Sequence, residues 1–334
     1  MLYSNVNLWQ QSLEHNDYLI NKSNNPDDYK ECDIVVFTSF FYLYERLELL
    51  PSDLFYKRRK YKLVFLDCAD GMITPGFKKD IFENVDIVLK SHYNKRYNYP
   101  KKFRPWQFGY TKRILNSVNP LPFKDRKPDI LINFRLTHKL REKAKTEILP
   151  LTFNKFHPNY EEESYEDVKE ATKLEQLYWK QTGRRHYPSF YRRLSQSMAC
   201  ACFGGFLQDN MEIENFNFKH KLLYQVNKLY PIVKYDRIYQ FDSFRFWEAL
   251  VAGSCIFHVN LKMFGAVFPE IPISGKHYIG VDVNHPSTLK KTMQNGYNYF
   301  EDIAFNGREW ALEEFSPVKV AYRFLKECSR ISKG

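Results

Sequence analysis

The sequence predicts an α/β protein with two parallel-sheet domains, and three features carry this prediction. Short apolar segments alternate with segments of helical spacing, which is the order of a parallel sheet with crossover helices. The 334 residues are too many for one small core and fit two domains of ordinary size. A polar, proline-bearing segment at 119–128 separates two such series. We therefore expect one domain over 1–122 and another over 128–315.

Three buried strands are predicted in the first domain. Their sequences are DIVVFTS at 33–39, YKLVFLD at 61–67 and VDIVLK at 85–90. Each is short and rich in β-branched or aliphatic residues, as strands covered on both faces are. A helix is expected over 41–50, and 103–108 leads to the end of the domain.

The second domain begins with a predicted strand, DILINF, at 129–134. Arg135 and His138 follow it, before a basic helix over 139–149. Ligands bind at the carboxyl ends of strands in open α/β sheets, so both residues are candidate phosphate contacts. The alternative for His138 is a helix cap or a surface residue.

Another strand is predicted at 197–206 and runs into Gly204 and Gly205. Glycines let a backbone approach a ligand closely, although one such pair is a weak signal. A polar and aromatic segment at 209–239 follows, with a helix expected around 219–229 and no role that the sequence indicates.

Residues 240–259, QFDSFRFWEALVAGSCIFHV, carry the clearest functional pattern. Asp242 or Ser243 can cap a helix, whose first N–H groups then form a site for an anion. Gly253 ends this helix, and a buried strand is predicted directly after it.

Arg245 lies in the first turn of this helix, and Glu248 lies three residues later on the same face. The helix dipole and Arg245 suit the phosphates of a nucleotide diphosphate, and Glu248 can accept hydrogen bonds from ribose hydroxyls. The alternative is an Arg–Glu surface pair on an ordinary helix, and spacing alone does not decide between them.

The run at 242–257 resembles the donor-site motif of GT-B glycosyltransferases of the exostosin-like and group 1 kind, roughly D-S-x-R-x-x-E-A-L-x-x-G-x-x-P. The matching positions are Asp242, Ser243, Arg245, Glu248, Ala249, Leu250 and Gly253. The proline is missing, since Ile256 or Phe257 stands there. Residues 191–205 are similar to the strand and loop before the donor helix, and 306–317 to the closing segment.

This resemblance implies two Rossmann-like domains whose parallel sheets face each other across a cleft. It also implies a C-terminal helix over 316–334 that crosses back to the first domain. The nucleotide sugar would bind to the second domain, and the acceptor would enter from the first. The implied activity is transfer of a sugar to a hydroxyl group.

An inverting transfer needs a base, because the acceptor hydroxyl loses its proton as it attacks. In the resembled families this base comes from the first domain, and Asp70, in the sequence LDCADG, is our choice. Asp67 is the alternative and His92 a second-rank candidate, while the alternative role of such an aspartate is to cap the turn. Gln240 stands where retaining members often carry a glutamate, which favours inversion.

No D-x-D motif occurs, so we expect a metal-independent enzyme without a cofactor, in which the dipole and basic side chains stabilise the leaving diphosphate. Dinucleotide-binding, P-loop, G-x-S-x-G and H-E-x-x-H motifs are also missing. The six cysteines show no disulfide framework and no complete zinc pattern, so they are expected to be reduced.

A formal net charge of +11 favours an anionic partner, such as a nucleotide sugar, a lipid-linked acceptor, a phospholipid surface or nucleic acid. No signal peptide and no apolar run of roughly 18 residues occurs. We expect a cytoplasmic protein that can contact the inner face of the membrane.

Two other interpretations stay open. Basic segments at 57–60, 101–104 and 184–193 have aromatic neighbours and suit a nucleic-acid binder, or a glycosyltransferase of modified DNA bases. Without a recognised binding module, lipid-linked or polyanionic acceptors explain the charge better. The other interpretation is an inactive GT-B interaction subunit, against which the presence of Arg245 and Glu248 argues.

Overall fold

The computed structural model shows two separate parallel sheets. It describes residues 28–38, 51–68, 71, 83–134, 138–160, 190–204, 218–229, 238 and 243–331.

The first sheet consists of four parallel strands in the order β1-β2-β3-β4. They are β1 Ile34–Thr38, β2 Lys62–Asp67, β3 Ile87–Lys90 and β4 Phe103–Pro105. All four residues of β3 and all but the first of β2 are buried, which explains their continuous apolar sequences. The three predicted strands are confirmed, whereas the helix predicted at 41–50 lies outside the described residues.

The second sheet consists of five parallel strands in the order β6-β5-β7-β8-β9. They are β5 Lys127–Ile132, β6 His157–Tyr160, β7 Ser197–Ala201, β8 Cys255–Val259 and β9 Ile279–Val281. Strand β6 was not predicted, because its residues HPNY include a proline and three polar or amphipathic side chains. It is an edge strand with mostly exposed residues, where this composition is tolerated.

Eight α-helices lie within the described residues. They are α1 Lys112–Ser117, α2 Lys139–Lys143, α3 Phe190–Gln196, α4 Phe218–Leu229, α5 Phe244–Val251, α6 Leu289–Met293, α7 Tyr297–Glu314 and α8 Pro317–Ser329. A π-helical turn, Ala144–Ile148, and a 3-10 turn, Leu149–Thr152, continue α2. No helix in this part of the chain is long and apolar enough to cross a bilayer.

The expected strand and loop at 191–205 begins instead with helix α3. Phe190, Tyr191 and Leu194 are buried on one side of it, at helical spacing. The strand of this segment starts only at Ser197.

Helix α5 is buried between the second sheet and α7. Trp247 of α5 stacks on Trp310 of α7 with ring centroids 5.9 Å apart. Gly307 allows the close approach of α7, because a Cβ atom there would lie 2.3 Å from the carbonyl oxygen of His277. The helix predicted around 243–252 is therefore part of the core.

Helix α8 returns to the first sheet. The ammonium group of Lys62 on β2 donates a hydrogen bond of 2.8 Å to the carbonyl oxygen of Cys328. Arg104 on β4 forms an ion pair of 3.5 Å with Glu327. The predicted crossing of the C-terminal helix to the first domain is confirmed.

Loops at the carboxyl ends of the two sheets contact each other. After β3, the N–H of Lys95 donates to the carbonyl of Gly265, and the carbonyl of Tyr93 accepts from Val267, both at 2.9 Å. This arrangement of two facing parallel sheets confirms the predicted fold class. The domain boundaries at 122, 128 and 315 stay predictions.

Candidate functional site

Helix α5 begins at the carboxyl edge of the second sheet. Ser243 is its N-cap, and the Ser243 hydroxyl accepts a hydrogen bond of 3.4 Å from the N–H of Phe246. The first turn of an α-helix carries N–H groups without partners inside the helix, and with the macrodipole they favour an anion. Asp242, the other predicted cap, lies outside the described residues.

Arg245 and Glu248 are both buried in this first part of α5, at 8% and 2% exposure. The hydroxyl of Tyr191 on α3 donates a 2.9 Å hydrogen bond to Oε1 of Glu248. The alternative of an Arg–Glu surface pair is therefore wrong. Buried charges cost free energy unless other groups compensate them, and such charges are concentrated at functional sites.

Cys200 on β7 and Cys202 just after it lie next to the start of α5. The Cys202 thiol is 3.6 Å from the Cys200 thiol and 3.6 Å from the carbonyl oxygen of Arg245. Burial raises the pKa of Cys202 well above its usual value, and the Cys200 thiol and the Glu248 charge raise it further. Cys202 is therefore a neutral thiol that packs against the start of α5.

Two arginines hold the other end of α5. Gly253 follows the helix with φ +67°, and its carbonyl accepts a 2.7 Å hydrogen bond from Nη1 of Arg126. Nε of Arg308 donates at 3.1 Å to the carbonyl of Val251. Burial, and then the charge of Arg308, lower the pKa of Arg126 to about 10. Cations at a helix C-terminus complement the dipole, so Arg126 and Arg308 stabilise α5 in the orientation that directs its N-terminus to the carboxyl edge of the sheet.

His138 lies at the N-cap position of α2, near the carboxyl end of β5, and its side chain does not cap the helix. Arg141, in the first turn of α2, donates at 3.4 Å to the carbonyl of Phe203, the residue before the buried Gly204. The start of α2 and the loop after β7 are thus adjacent. Arg141 was not among the predicted site residues.

Five predicted donor contacts lie within the described residues. His138 follows β5 and Gly204 follows β7, while Ser243, Arg245 and Glu248 cap or belong to α5. Arg135, Gly205 and Asp242 lie outside the described residues, so their roles stay predictions. Tyr191 was missed, because a tyrosine some 57 positions from Glu248 gives no sequence signal.

The predicted bases belong to the first sheet. Asp70 lies outside the described residues. Asp67, the last residue of β2, is fully buried and forms a 2.9 Å ion pair with the fully buried Lys90, the last residue of β3. Lys90 also donates at 3.0 Å to the carbonyl of Gly71. This pair could have been predicted from the sequence, because Asp67 and Lys90 are the last residues of two successive predicted strands.

His92 follows β3 in an unusual conformation. Its φ of +56° is in the left-handed region, and its side chain is completely buried. Burial, and then the charge of Lys90, lower the pKa of His92 to about 3. Such strain is common at functional sites, but this pKa makes the neutral imidazole a weak base.

Gln107 lies just beyond β4, at the same edge as His92. Its side chain is 1% exposed, and neither its amide oxygen nor its amide nitrogen has a hydrogen-bond partner in the part of the chain that the structure describes. A buried polar group without partners needs an explanation, such as a ligand. The next residue, Phe108, stacks on Phe244 of α5 at 4.7 Å and 14°. Gln107 thus lies where the first sheet meets the start of α5.

Among the described residues, no group of three or more His, Cys, Asp or Glu side chains is arranged to hold a metal ion.

No family model and no curated protein matches the chain. Among solved structures it is similar to an α-glucosyltransferase in complex with UDP, with 8% identity, a TM-score of 0.49, and coverage of 90% of this chain and 82% of that one. AviGT4, a glycosyltransferase involved in avilamycin A biosynthesis, shows 11% identity, coverage of 80% and 73%, and a TM-score of 0.42. Sucrose-phosphate synthase from Thermosynechococcus elongatus shows 10% identity, coverage of 89% and 73%, and a TM-score of 0.45. These are similarities of fold, with little similarity of sequence.

Proposed function

We propose that this protein is a GT-B glycosyltransferase that moves a sugar from a nucleotide diphosphate to a hydroxyl acceptor. One observation carries the proposal: Arg245 and Glu248 are both buried on α5, and the positive end of that helix meets the first sheet. An anion-binding helix start with a guanidinium suits the phosphates of a nucleotide diphosphate, and the carboxylate suits its ribose hydroxyls.

The donor phosphates lie, in this proposal, at the first turn of α5, where Ser243 caps the helix and Arg245 supplies the positive charge. Glu248 accepts hydrogen bonds from the ribose hydroxyls. A carboxylate has about four acceptor positions, so the hydrogen bond from Tyr191 leaves capacity for the ribose and fixes the side chain. Gly204 and Gly205 allow close approach, and Arg135 and His138 are further phosphate contacts.

We propose an inverting, metal-independent reaction that uses no cofactor. As the bond to the sugar breaks, negative charge grows on the leaving diphosphate. Arg245 and the helix dipole therefore stabilise the transition state more than the ground state. Asp70 takes the proton of the acceptor. The ion pair between Asp67 and Lys90 supports this choice, because Asp67 already has a buried cationic partner.

The acceptor enters from the first domain. Gln107 is proposed to hydrogen-bond an acceptor hydroxyl, which would satisfy its buried amide. The net charge of +11 supports a lipid-linked saccharide or another polyanionic glycan as acceptor, with the enzyme in the cytoplasm at the inner face of the membrane.

The decisive experiment is a calorimetric screen of UDP, GDP, dTDP, ADP and CMP sugars in EDTA. We expect one nucleotide to bind the wild type and to bind Glu248→Gln roughly 10- to 100-fold more weakly, since hydrogen bonds to charged groups contribute about 1.5–3 kcal/mol. Tyr191→Phe should weaken nucleotide binding less, because it removes one hydrogen bond to the carboxylate but keeps the carboxylate itself.

Matched controls are Glu309→Gln, an exposed glutamate of α7, and Tyr297→Phe, which loses a 2.8 Å hydrogen bond to the carbonyl of Lys155. Both should bind the nucleotide like the wild type. If no nucleotide binds with or without Mg²⁺, or if Glu248→Gln binds as tightly as the wild type, the proposed donor site is wrong. Binding of DNA alone would favour the nucleic-acid interpretation.

Turnover tests the role of Arg245. Lysine keeps the charge but not the planar fork that pairs with two phosphate oxygens. Arg245→Lys should therefore lower kcat by more than it weakens nucleotide binding. An unchanged kcat would remove Arg245 from the reacting centre.

A further inference from the structure

Helix α4 carries an exposed apolar stripe. Phe218, Leu222 and Val226 are 81%, 55% and 46% exposed. They are spaced four residues apart, so at about 100° per residue they lie within about 80° of one another on the helix surface. Scattered exposed apolar residues are ordinary, but three in line on one helix form a face.

Lysines border this stripe on both sides. Lys219 lies about 20° beyond Val226, and Lys221 about 60° beyond Phe218, on the same helical projection. Both side chains are at least partly exposed. Residues 218–229, FKHKLLYQVNKL, contain three lysines and no acidic residue. The helix is therefore basic as well as amphipathic.

We propose that α4 docks on an anionic lipid surface. A helix with an apolar stripe between lysines lies in the plane of the headgroups, because its apolar side chains enter the acyl boundary while the long lysine stems reach the phosphates. Charge complementarity favours a lipid surface over a second copy of this chain, since two such faces would bring lysines together. The inference does not depend on the proposed sugar transfer.

Vesicle sedimentation tests the proposal with the full chain. Vesicles of phosphatidylcholine and phosphatidylglycerol at about seven to three should bind the wild type, and pure phosphatidylcholine should bind it at least roughly tenfold more weakly, because each lysine near the surface contributes about fivefold in affinity. The double variant Lys219→Gln with Lys221→Gln should bind the mixed vesicles about 25-fold more weakly than the wild type.

The apolar contribution is tested by Phe218→Ser with Leu222→Ser, which alters only exposed side chains. We expect this variant to bind the mixed vesicles at least roughly tenfold more weakly than the wild type. The matched control is Phe305→Ser with Val318→Ser, at apolar positions of α7 and α8 that are 64% and 48% exposed. This control should bind vesicles like the wild type.

Three results would overturn the proposal. The first is no binding of the wild type to the mixed vesicles. The second is equal loss in the control and in the α4 serine variant. The third is a concentration-dependent dimer in light scattering that the α4 serine variant abolishes, which would make a second copy the occupant.

Discussion

The buried ion pair between Asp67 and Lys90 gives a sharp test of the first sheet. Both side chains are fully buried and their charged atoms are 2.9 Å apart. Asp67→Asn keeps the shape but leaves the Lys90 ammonium without its counter-charge. Removing one partner of a buried pair costs about 3–5 kcal/mol, because the remaining charge stays desolvated.

Replacing both partners with apolar residues should cost far less. Asp67→Leu with Lys90→Met removes both desolvation penalties and loses the hydrogen bond from Lys90 to Gly71, for a net change of about 1–2 kcal/mol. The matched control is Glu147→Gln, whose 3.5 Å pair with Lys143 is on the surface and contributes under about 1 kcal/mol.

Chemical denaturation of these variants measures the free energy of unfolding. If Asp67→Asn costs less than about 1 kcal/mol, or if the double variant is less stable than Asp67→Asn, the reasoning from desolvation is refuted. The folded Asp67→Asn protein should retain turnover if Asp70 is the base. Loss of turnover in a folded Asp67→Asn protein, with Asp70→Asn still active, would transfer that role to Asp67.

Three further predictions concern single positions. Gly253→Ala should destabilise the protein by about 1–2 kcal/mol in urea unfolding, because φ is +67° and the new Cβ would lie 3.1 Å from Nη2 of Arg126. Gly296→Ala, where φ is −70° and no atom lies within 4 Å of the new Cβ, should lose only the small preference for glycine at the N-cap of α7. The pKa of His92 is lowered to about 3, so between pH 3 and 6.5 only the unfolded chain binds a proton at this residue. His92 should therefore make the protein less stable as the pH is lowered through this range, by up to about 1.4 kcal/mol per pH unit, and His92→Asn, which tolerates the left-handed backbone, should remove that part of the slope. Gln107→Met should leave thermal stability unchanged or raise it, since no hydrogen bond is lost, and a marked decrease would show that the amide already has a partner.

The strands and the central helix followed from local sequence. β2 and β3 are buried on both faces, so their sequences are continuously apolar and easy to find. Helix α5 was equally clear, because Ser243 and Gly253 mark its start and its end. Edge strand β6 could not be found in this way, because an exposed edge does not need apolar residues.

Contacts between distant residues were beyond the sequence. Tyr191 gives no local sign that its hydroxyl reaches Glu248, since α3 and α5 are far apart in the chain and meet only in the folded structure. The stack of Phe108 on Phe244 likewise depends on how the two sheets face each other. Hydrophobic periodicity reports which face of an element is buried, but not what covers it.

The sequence by itself determined the two-sheet α/β class, the limits of the central helix and the residue types at its first turn. These depend on short-range rules of capping, dipole and periodicity, which act within a few residues. Only the tertiary structure decided that Arg245 and Glu248 are buried rather than a surface pair, that Lys90 neutralises Asp67, and that α4 exposes its apolar stripe. Burial and charge pairing depend on which segments meet in space, and chain folding brings those segments together from far apart in the sequence.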